Sequence, residues 1–250
     1  MVDRIEGFLV DGKHLTAEEC RAAFATEILA DRQIKVVERL EGHTIVDIGC
    51  YSGAFVAAAA QRFPDKRIIG IDYFEDNIRI AHLLHPEMAE RFKRMSAYAL
   101  EFSDDSIDCV TLQEVIEHME GAASAIKEIN RILKPGGALV ISAPNPFFWH
   151  QMLMFFALEI RNSIARRLGR ATRMVTQIYF GNVEWNRHIY AWTPDTMMTL
   201  LAVNGFEYVD HCYESSGNLL ARALLRVFPF LGPTQILKVR KTARARTELV

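Results

Sequence analysis

Two acids and two glycines carry the first chemical suggestion in this chain. Asp47 lies within the apolar run Ile45, Val46 and Ile48, Gly49 and Gly53 follow that run, and Asp72 lies 19 positions beyond Gly53. The run reads as a strand buried on both faces of a parallel sheet. The glycines allow a sharp turn into a helix over Ala54–Arg62. The next apolar strand, Arg67–Asp72, ends in an acid that can accept both hydroxyls of a ribose. Together these make a nucleotide-binding βαβ unit, with Asp47 at the strand end where open α/β sheets bind ligands. A tight turn with no ligand is the plainer reading of the first turn alone.

A second set is Gln113, Glu114 and His118, at the end of the apolar strand Ile107–Gln113. His118 is at i+4 from Glu114, so the two share a face if a helical turn forms. A neutral histidine is the natural proton acceptor for a hydroxyl. His118 and His188 are the candidate bases, His150 is a poorer third, and a structural role stays open for each.

The elements that must position these residues fit one α/β unit of 250 residues with a full core. Half the residues are hydrophobic and the formal net charge is −2, which excludes wholesale disorder and gives no reason to expect nucleic acid as a partner. Cys20, Cys50, Cys109 and Cys212 form no Cys-x-x-Cys pair. That argues against a zinc site or disulfide scaffold, leaves no metal expected, and suits a reducing cytoplasm. The first residues are charged and lack a signal-like apolar core. No apolar run reaches the ~20 residues of a membrane helix.

Residues 7–13 read as a hairpin or an extended arm. Thr16 and Glu19 resemble a capping box, opening either one helix to about Leu40 or two helices broken near Ala30–Asp31. Further helices are expected over Asp76–His85, Ala122–Leu133 and from Pro194 to Val203, the last capped by Thr193. Further strands are expected over 91–96, Ala138–Ala143, Phe206–Tyr213 and Gln235–Lys241.

Five ordered stretches resemble the class I S-adenosylmethionine-dependent methyltransferases. They are Val46-Asp47-Ile48-Gly49-Cys50-Tyr51-Ser52-Gly53, Gly70-Ile71-Asp72, Phe102–Val110, Glu114-Val115-Ile116-Glu117-His118 and Arg131–Gly137. The resemblance spans roughly residues 40–145, with a weaker echo near 188–212. It implies S-adenosyl-L-methionine as cofactor and a Rossmann-like seven-stranded, mostly parallel sheet. Helices would cover both faces, the last strand would be antiparallel, and a helical insert would follow strand 5. It also implies that Asp72 holds the ribose and that Asp47, Gly49, Tyr51 and Gly53 shape the turn around the methionine part. Tyr73 joins the cofactor-binding set, and Gln113 and Glu114 line the sulfonium and acceptor pocket. Tyr51 replaces a glycine frequent in relatives and narrows the site. Ser96 and Ala97 stand where many relatives carry an adenine-binding Asp and a small residue. A helical cap over residues 1–40 would cover the methionine end. Arg32 reads first as a solvated arginine and second as a partner for the cofactor's carboxylate.

Residues 146–190 are far more than the connection after strand 5 needs. The stretch from Pro146 to Leu158 is apolar nearly all round, and Arg161, Arg166, Arg167, Arg170 and Arg173 follow. One reading is a lid over a greasy acceptor site, with arginines for a phosphate or for peripheral contact with a membrane surface. The other is a buried or homodimer-forming helix with a solvated basic tail. The run from Trp185 through His188 and Tyr190 to Pro194 looks like methyltransferases that act on sugars, lipids and other small metabolites. Leu219–Phe228 reads as an amphipathic helix with Leu220, Ala223, Leu224, Val227 and Phe228 on its apolar face. The function expected is in-line methyl transfer to a small-molecule, sugar or lipid-like acceptor. A catalytically silent scaffold binding a membrane or protein partner is one alternative. An NAD-dependent oxidoreductase is the other, although Tyr51 removes the middle glycine of its pyrophosphate-binding turn.

Overall fold

The computed structural model describes residues 8–10, 13–24, 29–171, 189–215 and 219–242. Residues 8–15 form a hairpin, β1 (Phe8–Val10) against β2 (Lys13–Leu15). Helix α1 (Ala17–Phe24) opens on the expected capping box: Glu19 N donates to Thr16 Oγ1, and the Glu19 carboxylate accepts from Thr16 N. Helix α2 (Asp31–Val37) is separate, so two helices rather than one long one precede the sheet.

The sheet has seven strands in the order β5-β4-β3-β6-β7-β9-β8. In chain order they are β3 (Thr44–Ile48), β4 (Arg67–Asp72), β5 (Phe92–Arg94), β6 (Ile107–Gln113), β7 (Leu133–Pro144), β8 (Phe206–Tyr213) and β9 (Thr234–Lys241). Only β9 runs against its neighbours, as it is antiparallel to both β7 and β8. Successive strand residues point to opposite faces, and the two cores follow from that alternation. Val46, Ile48, Val110, Leu112, Leu139 and Ile141 pack with α5 (Ala122–Ile132) and α7 (Pro194–Val203). Ile45, Ile68, Cys109 and Val140 pack with α2, α3 (Ala54–Arg62) and α4 (Glu75–Leu84).

Three expectations change. Strand β7 starts at Leu133 rather than Ala138, because Leu133 already pairs with Ile107 ahead of the irregular Lys134–Gly137 stretch. The insert contains a 19-residue helix, α6 (Trp149–Arg167), whose buried residues are Leu158, Asn162 and Ala165 while Leu153 and Phe156 are 62% and 70% exposed. In α8 (Leu219–Val227) it is Leu225 that is buried, whereas Leu224, Val227 and neighbouring Phe228 are exposed. Periodicity identifies an apolar face but does not say that anything covers it.

The central strands β3 and β6 send their connections to opposite sides, so the C-terminal ends of β3, β4 and β6 border a crevice at the topological switch point. Gly49 and Gly53 adopt φ of 81°, a left-handed conformation natural to glycine. A Cβ on Gly49 would lie 2.4 Å from Val115, and one on Gly53 would lie 2.7 Å from the Phe92 ring. Close packing therefore demands these glycines whether or not a ligand is present.

Candidate active site

Burial and hydrogen bonding give the two acids different environments. Asp47 is 2% exposed, and its Oδ1 accepts from Thr111 Oγ1 at 2.6 Å and Gln113 Nε2 at 3.1 Å. Burial outweighs these bonds and pushes its carboxyl up to about 6. Asp72 is buried at the end of β4, where Oδ1 accepts from Phe74 N and Asn77 Nδ2, and Oδ2 accepts from Tyr51 N at 3.1 Å. Burial raises this carboxyl too. A carboxylate offers about four lone-pair sites, so Oδ2 keeps acceptor capacity for a ligand.

Tyr51 lies at φ 47°, its backbone on Asp72 and its ring edge-on to Phe24 of α1 at 5.8 Å. The N-terminal helical segment thus reaches the turn that the two glycines build. Tyr73 is exposed at the rim, packed edge-on against Phe74. Ser96 Oγ accepts from Tyr98 N, whereas Ala97 belongs to the buried core.

Glu114 stands just past β6 with φ 54°, its backbone N donating to Ser142 O and its Oε1 accepting from Ser142 Oγ at 3.0 Å. That conformation and the short 3-10 turn Ile116–His118 prevent Glu114 and His118 from sharing a helical face. The residue beside His118 is instead Glu117, 1% exposed, with Oε1 3.9 Å from His118 Nε2. The His118 side chain keeps 23% of its surface. Burial pushes Glu114 up to about 6, opposed by the nearby Arg32 charge, and raises Glu117 as well, with the Glu114 charge adding to the effect. Two acids this close resist ionising together.

Arg32 is therefore no solvated arginine: it is half-buried on α2, with its charge felt by both glutamates. Sequence reasoning missed Glu117, and its only signal was a charge set between the apolar Ile116 and His118. His150 is exposed against the Phe148 and Trp149 rings. Tyr190 is exposed, with its backbone N and that of Ile189 donating to the Glu117 carbonyl. His188 lies outside the described residues. Among the described residues no group of three or more His, Cys, Asp or Glu side chains is placed to hold a metal ion.

With this geometry in view, residues 46–141 match the methyltransferase domain family. The chain is 30% identical to the ubiquinone biosynthesis O-methyltransferase of Leptothrix cholodnii over 178 residues, covering 70% of this chain and 72% of that protein. It is 28% identical to the Roseobacter denitrificans protein of the same name over 196 residues, covering 76% and 72%. A solved S-adenosylmethionine-dependent methyltransferase from Mesorhizobium loti superposes with a TM-score of 0.60 at 20% identity, covering 85% of this chain and 98% of that one. The cyclase SpnF superposes with a TM-score of 0.59, also at 20% identity, covering 86% and 81%, so the fold alone does not fix the chemistry.

The chain belongs to the class I S-adenosylmethionine-dependent methyltransferases. It is an enzyme of that class with S-adenosyl-L-methionine as its cofactor, which removes the oxidoreductase and silent-scaffold readings. The residues present fit that cofactor. Gln113 Oε1 and Arg32 Nε are buried without hydrogen-bond partners among the described residues, and the methionine part of the cofactor carries an ammonium donor and a carboxylate acceptor that suit them.

Proposed function

We propose that this enzyme methylates a hydroxyl oxygen of the phenol type on a small or lipid-linked acceptor. The observation that carries the reading is the part-exposed His118 beside the buried Glu117 carboxylate at the ligand edge. A hydroxyl must lose its proton as it is alkylated. A neutral imidazole can take that proton, and the adjacent Glu117, once ionised, favours the imidazolium that forms. The names of the relatives support oxygen as the acceptor atom. His188 is the second candidate base.

When bound, S-adenosylmethionine supplies a methyl group on a positively charged sulfur. In this reading Asp72 accepts from the ribose hydroxyls, Gln113 receives the ammonium group, and Arg32 faces the carboxylate. Ser96, Ala97 and Tyr73 border the adenosine end, while Asp47, Gly49, Tyr51 and Gly53 hold the turn. Glu114 borders the acceptor side. The chain's remaining task is to hold the acceptor oxygen in line and keep water out.

Calorimetric titration with S-adenosylmethionine, S-adenosylhomocysteine and NAD tests the cofactor part. Both adenosyl ligands should bind, NAD should not, and Asp72→Ala should weaken binding by at least about tenfold. Labelled methyl transfer is then measured on catechols with short and long alkyl tails, on sugars and on amines. Transfer to phenolic oxygen is expected, with His118→Ala lowering kcat by about a hundredfold at unchanged cofactor affinity. Transfer to sugars or amines alone would overturn the acceptor class.

A further inference from the structure

The side of α6 facing away from its buried residues is mainly apolar, with Ser163 and Arg167 set among the apolar side chains toward its C-terminal end. Trp149, Leu153, Phe156, Ile160, Ile164 and Leu168 recur at helical spacing and are exposed, on the face opposite Leu158, Asn162 and Ala165. At 1.5 Å per residue the stripe runs for about 28 Å. No helix among the described residues is long and apolar enough to cross a membrane, so this one does not span a bilayer.

A second exposed ridge lies beside its root. Leu224, Val227, Phe228 and Phe230 are exposed on and just after α8. Fully buried Asn145 ties the two segments together: Nδ2 donates to Phe230 O and Gly232 O at 2.7 Å each, and Oδ1 accepts from Phe147 N. Asn145 follows three residues after Ser142, the partner of Glu114. Both ridges are therefore rooted at the sheet edge that carries the site.

The net charge on these segments is positive. Arg161, Arg167 and Arg170 are exposed on or just past α6, and Arg222 and Arg226 on α8. On α6 the carboxylate is Glu159, already engaged by Arg166, and α8 has none. Aromatic and aliphatic side chains among outward arginines match a surface that is apolar beneath and anionic above.

We propose that the exposed stripe of α6 and the adjoining Leu224–Phe230 ridge dock this enzyme on an anionic lipid bilayer, with the site's edge facing the membrane. The inference extends the reading of a lipid-linked acceptor, because an acceptor anchored by an apolar tail would then meet the site without leaving the bilayer. A second copy of the chain and an acidic protein are the competing occupants.

The test is co-sedimentation of the full chain with phosphatidylcholine vesicles, with and without phosphatidylglycerol, at low and high salt. Velocity sedimentation is run in parallel. Binding to the anionic vesicles that weakens with salt is expected. Phe156→Glu combined with Ile160→Glu should weaken it by at least about tenfold, and Arg222→Glu with Arg226→Glu should weaken it on anionic vesicles alone. Val203→Glu, an exposed apolar position on α7, should bind as wild type does, and all variants should keep the wild-type circular dichroism. Failure of wild type to sediment with either vesicle overturns the proposal. So does equal binding by the α6 variant, or a wild-type dimer that this variant converts to monomer. Vesicle binding without turnover of any phenol upholds the surface and overturns only the acceptor reading.

Discussion

At the scale of single residues, backbone conformation and space decide together what a position tolerates. Gly53 and Gly169 both have positive φ, 81° and 63°, but a Cβ on Gly53 meets the Phe92 ring while nothing lies within 4 Å of one on Gly169. Gly169→Ala should therefore cost about 1 kcal/mol of backbone strain. Gly53→Ala should cost about 2–3 kcal/mol, because overpacking adds to that strain. Urea unfolding of both variants checks the difference, and equal losses would show that the ring moves aside freely. The turn's glycines and acids were legible in the sequence because their reason is local. Glu117 and Arg32 were not, because both owe their burial to elements distant in the chain.

At the scale of elements, one side chain does most to hold the loop before β6. Arg131 on α5 donates to Leu100 O at 2.7 Å, Phe102 O at 2.9 Å, Asp104 and both oxygens of Glu128. A guanidinium fork makes several such bonds at once, whereas a lysine offers a single point charge. Arg131→Lys should thus lose about 1–2 kcal/mol and raise hydrogen exchange at residues 100–106. Unchanged exchange there would mean the loop is held by Leu100 and Ile107 packing alone. The capped helices and most strands were legible because their apolar runs and Thr-Pro or Thr-x-x-Glu signals are short-range, whereas the early start of β7 and the short β5 were not. The outward face of α8 was not, since Leu224 and Val227 look like core residues until the rest of the chain fails to cover them.

For the whole molecule, the buried carboxylates set how stability follows pH. Asp47 and Glu114 sit at about 6 in the fold against ordinary values near 4, and Asp72 and Glu117 are raised as well, burial being the largest cause in each. The folded protein holds these protons to higher pH than the unfolded chain does. For Asp47 and Glu114 this contribution is full below about pH 4 and is lost as pH rises through about 6; Asp72 and Glu117 act in the same direction. Glu128, held low by the Arg131 hydrogen bond, acts the other way and only below its ordinary value of 4.5. The enzyme should accordingly be more stable in urea at pH 5 than at pH 8, by on the order of 2 kcal/mol. Asp47→Asn can still accept from Thr111 and Gln113, so it should raise stability at pH 8 and flatten the slope. A slope unchanged by that substitution would place the proton elsewhere.

The two ends of the long insert meet at one place. Asn145 N donates to Pro233 O at 2.8 Å, and Gln235 Nε2 donates to the Trp192 carbonyl, so both ends are fastened to the same few residues at the start of β9. A segment leaving and re-entering a fold at neighbouring points behaves as a cassette. It can be lengthened, exchanged or excised with little change in the loop-closure entropy of the chain around it. A different insert grafted between those two anchor points should therefore leave the folding of the seven-stranded sheet intact.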